Sequence, residues 1–260
     1  MTKLVRDHLI MLLNKGLRED RRALTAYRQP VSVEYGISSK SAEGSARVRI
    51  GDTEVVAGVK LEVGDPFPDT PNQGTLMVGA ELLPMSNPEF ESGPPSIDSI
   101  ELARVVDRGL RESKTIDFTK LCITKGEKVW MVMVDIYPIN DAGNLFDAAS
   151  LAALAALKNA QFPEYDAKEG KVSYDKRTSK SLPLTCLPIE VTIIKIQNTY
   201  LVDPSSDEWK HLDARLTIAV DEKGTICAMQ KGGGDALTLQ DIDQMISLAI
   251  TKAHELRKVL

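Results

Sequence analysis

The sequence is poor in the features that mark several protein classes. Only three cysteines occur in 260 residues. Cys122, Cys186 and Cys227 lie far apart in strand-like runs with no C-x-x-C spacing, which excludes a disulfide scaffold and a thiolate zinc site. Histidine is as sparse: His8, His211 and His254 sit in or beside helical or loop segments, without metal-ligand spacing or a glycine-flanked serine nearby, so hydrolase chemistry has no support. No window reaches the ~18 to 20 uninterrupted apolar residues of a membrane span; the longest candidate, 145–157, is too short and carries Asp147. The opening segment lacks the small-residue cleavage pattern of a signal peptide. Together these absences lead us to expect a reduced, cytoplasmic protein. An excess of positive charge is also missing, with 32 basic against 37 acidic residues and a net charge of −5. The surface as a whole therefore repels a polyanion, and contact with nucleic acid has to come from a local cluster or a shared interface. What is present is ordinary: 43% hydrophobic and 27% charged residues, in a length that suits one elongated α/β unit or two related halves.

Leu4, Val5, Leu9, Leu12 and Leu13 recur at helical spacing, and Asn14-Lys15-Gly16 ends that helix. With the basic, irregular stretch of Arg18, Arg21, Arg22 and Arg28 it makes an N-terminal unit, residues 1–28. Residues 31–34, 45–50, 54–63 and 75–83 read as strands, the second and third joined by Gly51-Asp52 as a tight hairpin. The Pro/Gly stretches 64–74 and 84–96 are expected as loops outside the core. Ser96 caps a helix running to about Ser113, and Gly126 turns a hairpin between 120–124 and 128–137. The run 129–134 is apolar throughout, so this strand is expected to be covered on both faces. Residues 142–157 form an alanine-rich helix able to lie close against a sheet. The polar stretch 161–181 is the candidate linker, giving a first half over 29–165, a connector over 166–184 and a second half over 185–260. That second half reads as strands near 189–196, 199–202, 215–220 and 225–229, then a helix over 239–257. Its start, Thr238 with Asp241, resembles a capping box, and Lys252, Arg257 and Lys258 suit the negative end of its dipole. Strands first and helix after, twice, predict an α+β fold.

Three segments could carry chemistry. Gly232-Gly233-Gly234 precedes a helix but lacks the Lys and Ser/Thr of a nucleotide loop, and reads as a flexible turn. The cluster Asp203-Pro204-Ser205-Ser206-Asp207-Glu208 could hold a divalent ion, although Asp and Ser are also the default residues of a turn. Arg104, Arg108 and Arg111, at i, i+4 and i+7, share an arc of roughly 60° on the helix that Ser96 opens, turned away from Leu102, Ala103, Val106 and Leu110. Guanidinium forks match phosphate oxygens. On spacing alone, a solvated face with Asp107 pairing Arg104 or Arg111 is the stronger reading.

The residues also resemble a family. Gly44-Ser45-Ala46-Arg47-Val48, followed by Gly51-Asp52-Thr53-Glu54-Val55-Val56-Ala57-Gly58-Val59-Lys60, resembles the opening signature of the RNase PH family of phosphorolytic exoribonucleases. The run Ile100-Glu101-Leu102-Ala103-Arg104-Val105-Val106-Asp107-Arg108-Gly109-Leu110-Arg111 resembles that family's arginine helix. With Gly79-Ala80-Glu81-Leu82-Leu83-Pro84 and Gly93-Pro94-Pro95, the combination is most similar to the non-catalytic RNase PH-like subunits of the archaeal exosome core. The resemblance runs from about Gly16 to about Arg257.

It implies an RNase PH-like α+β fold of two βαβα-type halves, like the second domain of ribosomal protein S5. It also implies a ring of three heterodimers with a catalytic RNase PH-like subunit, RNA-binding cap subunits on one face, and 3′-to-5′ phosphorolysis of single-stranded RNA. The family's active members carry an Asp-Gly-Gly-Thr-Arg-Thr-like stretch where this sequence reads Asp141-Ala142-Gly143-Asn144-Leu145-Phe146, so both hydroxyls and the arginine that hold the attacking phosphate are gone. The basic run before the arginine helix is replaced by Glu91-Ser92-Gly93-Pro94-Pro95, and the family's acidic pair fits poorly onto Asp203 and Asp207, whose spacing is shorter. The expectation is a subunit with no catalytic residue and no cofactor of its own, phosphate and Mg being held at the partner's site, and with Arg104, Arg108 and Arg111 contributing RNA binding to the shared cleft. The rivals are a self-sufficient RNase PH, which needs the missing phosphate donors, and a small-molecule kinase or isomerase of similar fold, which needs a glycine-rich phosphate loop.

Overall fold

A computed structural model describes residues 2–260. An N-terminal helix, α1 (Thr2–Leu13), leads into a sheet ordered β1-β2-β3-β6-β4, built from β1 (Val31–Tyr35), β2 (Gly44–Ile50), β3 (Thr53–Gly64), β4 (Thr75–Ala80) and β6 (Lys128–Asn140). β5 (Cys122–Thr124) pairs with β6, which runs antiparallel to β3 and parallel to β4. Gly51, at φ 59, turns the β2–β3 hairpin, as the left-handed region requires. Two helices, α2 (Ile97–Glu112) and α3 (Leu145–Asn159), cover one face of this sheet. The second half is an antiparallel sheet ordered β10-β9-β11-β12, from β9 (Ile189–Ile196), β10 (Thr199–Val202), β11 (Ala214–Val220) and β12 (Ile226–Gly232). The short α4 (Ser206–Lys210) links β10 to β11, and α5 (Leu239–Leu256) packs on β9 and β11. The layers are therefore sheet, helix pair, sheet, helix.

α3 holds the two halves together. Every residue from Phe146 to Leu157 is buried, because α3 meets β2, β3 and β6 on one side and β9 on the other. Alanines at 148, 149, 152, 153, 155 and 156 let backbones approach closely. Gly44 of β2 completes that approach, since any side chain there would overlap the Ala156 carbonyl.

Three expectations are corrected. β6 is not covered on both faces: Val132, Val134 and Ile136 are buried, but Met131 and Met133 are half-buried and Asp135 exposed, the alternation of a sheet with helices on one side only. The strands buried on both faces are β9 and β11, which lie between the α2/α3 layer and α5. The loop 84–96 is not outside the core, for Ser86 is buried and Phe90 packs against the core. The polar stretch expected as a linker contains an antiparallel hairpin, β7 (Gln161–Asp166) with β8 (Lys171–Ser181). Aromatic contacts hold it, Trp130 meeting Phe162 at 5.2 Å and Tyr165 at 5.9 Å between ring centroids. The capping box expected at Thr238 with Asp241 forms, and the structure adds a second at Ser205 with Glu208.

Candidate nucleic-acid interface and the site beside it

α2 begins where the Ser96 hydroxyl accepts the Ser99 amide, and it buries Leu102, Val105, Val106 and Leu110. Gly109 lies on the buried side against the Glu190 carboxylate of β9, and a side chain at this position would overlap it. Arg104, Arg108 and Arg111 are all exposed, on one face, but they are not equivalent. Arg111 donates to both Asp107 oxygens at 2.6 and 3.0 Å and to the Leu76 carbonyl at 2.8 Å. The Asp107 hydrogen bond raises the pKa of its guanidinium. Arg108 donates to Gln230 Oε1 at 3.2 Å, an exposed contact of little energetic weight. Arg104 makes no hydrogen bond or ion pair with any described residue. Asp107 thus pairs with Arg111 and leaves Arg104 and Arg108 available.

The segment 141–146 is where the resemblance implies a phosphate site in active members. Asp141 faces inward on its own loop, accepting the Gly143 amide at 2.8 Å and Asn87 Nδ2 at 2.9 Å. Asn144 adopts φ 58 and offers no side-chain cap to α3; its Nδ2 donates to Asp147 and Asp203 at 3.1 Å each. Phe146 is buried, its ring 5.5 Å from that of Trp209, and the Arg215 guanidinium lies over both at 4.3 and 5.3 Å. Side-chain donors are replaced by an aromatic wall, which offers a dianion little to offset its dehydration.

The acidic cluster does not gather a metal. Asp203 is fully buried and accepts from the Arg28 amide at 2.7 Å, from Arg28 Nε and Nη2 at 2.9 and 2.8 Å, and from Arg22 Nη1 at 2.8 Å. Glu208, also buried, receives both arms of the Arg18 fork while its capping box holds Ser205. Arg18 donates further to the carbonyls of Val202 and Asp203, each at 2.9 Å. Asp207 remains exposed. Among the described residues no group of three or more His, Cys, Asp or Glu side chains is placed to hold a cation. The divalent-ion reading of this cluster therefore gives way to an arginine clamp. In the sequence Arg18, Arg22 and Arg28 read only as a basic extension, and the clustering of bases there is the one available signal.

Two buried acids were missed. Asp147, in the apolar helix α3, accepts Tyr27 Oη at 2.9 Å and the Thr192 amide at 2.7 Å, and burial pushes its pKa from 3.8 up to about 7. Glu190 is buried with its Oε2 unpartnered among the described residues, and burial pushes it from 4.5 up to about 8. A charge inside the apolar runs of α3 and β9 was the only sign of either. His8 and His254 are exposed, and His211 sits at the end of α4 with Nδ1 2.8 Å from the Asp207 carbonyl. Gly232 ends β12, and Gly233 and Gly234 lie in the turn that leads to α5.

Comparison with known proteins follows this geometry. The models of the 3′ exoribonuclease family match twice, domain 1 over residues 28–163 and domain 2 over residues 186–252. The exosome complex component Rrp42 of Methanothermobacter thermautotrophicus is 45% identical over 258 residues, covering 99% of this chain and 94% of that protein. A chain of the Archaeoglobus fulgidus exosome with RNA bound to the active site superposes with a TM-score of 0.90 at 44% identity, over 99% of this chain and 98% of that one. A chain of an archaeal exosome core superposes with a TM-score of 0.86 at 42% identity, over 99% and 96%.

Proposed function

Because this chain belongs to the 3′ exoribonuclease family, carrying both of its domains, we propose that it is a non-catalytic ring subunit of an exosome of the archaeal type. In this reading it alternates with a catalytic RNase PH-like subunit in a ring of three heterodimers, beneath RNA-binding cap subunits, in a cytoplasmic complex that shortens RNA from the 3′ end by phosphorolysis. One observation carries the non-catalytic assignment: Leu145 and Phe146 stand where the phosphate donors of active relatives stand, while Asp203 and Glu208 are clamped by arginines. A nucleophilic phosphate would find Lys210 and Arg215 already paired with Glu89 and Glu101, and a metal would find Asp203 and Glu208 already held by arginines. This subunit then needs no cofactor; phosphate and Mg belong to the sibling's site. Its contribution is the face of α2, where Arg104 and Arg108 meet successive phosphates of single-stranded RNA without reading bases, with Arg111 held back by Asp107.

The test is reconstitution. With 3′-labelled RNA, phosphate and Mg, the purified chain alone should release no nucleoside diphosphate, and activity should appear when the catalytic sibling is added. Release by the chain alone, free of contaminating nuclease, would restore the self-sufficient enzyme.

A further inference from the structure

A cavity of about 400 Å³ opens beside the α3 N-terminus, bounded by the loop after β4, by α2 and α4, and by the ends of β11 and β12. Its volume suits a small molecule. Phe90, Phe146 and Trp209 supply an aromatic wall. Four acids and two bases line it, and both bases are already neutralised: Lys210 pairs with Glu89 at 2.5 Å, and Arg215 with Glu101. Asp98 and Asp141 also line the cavity, and neither forms an ion pair with a described residue. Asn144, 1% exposed, belongs to the same wall, and its Oδ1 accepts no hydrogen bond from any described residue.

The surplus is thus of acceptors and negative charge, beside rings that already hold one guanidinium, that of Arg215. An anion entering here would meet Asp98 and Asp141, which act on Arg215 and Lys210 from a distance but pair with neither; a cation would meet two carboxylates and a quadrupole of the right sign.

We propose that this cavity binds a small organic cation, an alkyl ammonium or guanidinium, whose charge is met by Asp98 and Asp141 and whose stem lies on Phe90, Phe146 and Trp209. A site that in the family's active members takes phosphate has, in this chain, the charge and lining for the opposite ligand. The proposal concerns the chain by itself and holds whether or not it enters a ring.

Calorimetric titration of the full isolated chain with butylguanidine and with putrescine tests it, with butanol as the uncharged analogue and inorganic phosphate as the opposing probe. Both cations should bind, with affinity falling as salt is raised, and butanol and phosphate should not. Trp209 emission should change on binding, and Trp209→Leu should abolish that change. Asp98 is exposed at the start of α2, so Asp98→Asn should keep the fold and weaken cation binding by about fivefold, the loss of one nearby charge. No heat with either cation, equal affinity in Asp98→Asn, or binding of phosphate in competition with them would each overturn the proposal.

Discussion

Arg18, Arg22 and Arg28 lie against the buried carboxylates of Asp203 and Glu208, whereas Arg104 and Arg108 stand in solvent on α2. Both sets carry the same group, and both come from stretches where basic residues recur every few positions. The difference lies in what the fold brings opposite. Residues 18–28 cross onto the second half, where Asp203 at φ 51 and the capped start of α4 present acceptors that burial has stripped of water. Those guanidiniums are consumed in holding the molecule together. α2 turns its apolar arc inward and its arginines the other way, where Asp107 pairs with Arg111 and with neither Arg104 nor Arg108. The charge left on that face is available to a partner.

The strongest way to break this contrast is to remove the clamp. Arg18→Met should leave the buried Glu208 carboxylate with only the Ser205 amide at 2.8 Å and the Arg22 guanidinium at 3.9 Å, and cost about 3–5 kcal/mol, measured by urea denaturation. Arg18→Lys should recover little, since an ammonium cannot make the fork. A loss below about 1 kcal/mol would mean that the clamp is hydrated and the two arginine sets are alike.

Glu190 sharpens the contrast from the opposite side, as a buried acid that no arginine approaches. The unfolded chain releases this proton near 4.5, while the folded chain holds it until about 8. The unfolded state therefore binds fewer protons across that window, and the stability contributed by the protonated group is lost as pH rises through it. Glu190→Gln cannot ionise. Its stability curve should run parallel to the parent's below pH 4.5 and lie above it by about 4 kcal/mol near pH 8, at ~1.4 kcal/mol for each pH unit across that window. Asp147, pushed up to about 7 by burial, tilts both curves the same way, and its charge also raises the Glu190 carboxyl in the parent. Thermal melts of both proteins between pH 5 and 8 check this, and identical slopes would place Glu190 in water.

The smallest effect on stability should come from the α2 face. Arg104→Ala with Arg108→Ala should change unfolding free energy by no more than about 0.5 kcal/mol. In a ring assembled with the catalytic sibling, however, it should weaken RNA binding and lower the log–log salt slope by about 0.7 per lost phosphate contact. Lysine at both positions should rescue only in part, and Arg111→Ala should change binding less than either. Unchanged binding across a salt series would reduce these arginines to a solvated helix face.

Much of this was legible in the sequence because it rests on local pattern. The 3.6-residue recurrence of Leu102, Val106 and Leu110 places α2 and the direction of its arginines, and Ser96 and Thr238 mark where helices begin. The replacement of hydroxyls by Leu145 and Phe146 is visible in the letters themselves. Burial on two faces was not legible. The apolar run 129–134 and the strand 189–196 look alike, yet only β9 has helices on both sides, a matter of layer order. Polarity likewise marked 161–181 as a linker, because the Trp130 that fastens the hairpin comes from another strand.

What the sequence by itself determined, then, is most of the helices and strands, the buried and exposed faces of α2, and the chemistry missing from residues 141–146, since each follows from side-chain type and spacing along one segment. Only the tertiary structure decided which charges are free. Arg18 meets Glu208 across 190 residues of chain and Arg28 meets Asp203 across 175, while Arg104 has no hydrogen bond or ion pair among the described residues. Every arginine carries the same charge along the chain. Whether it becomes a buried strut or an open contact depends on the acceptor that folding sets within about 3 Å of it and on the water it removes.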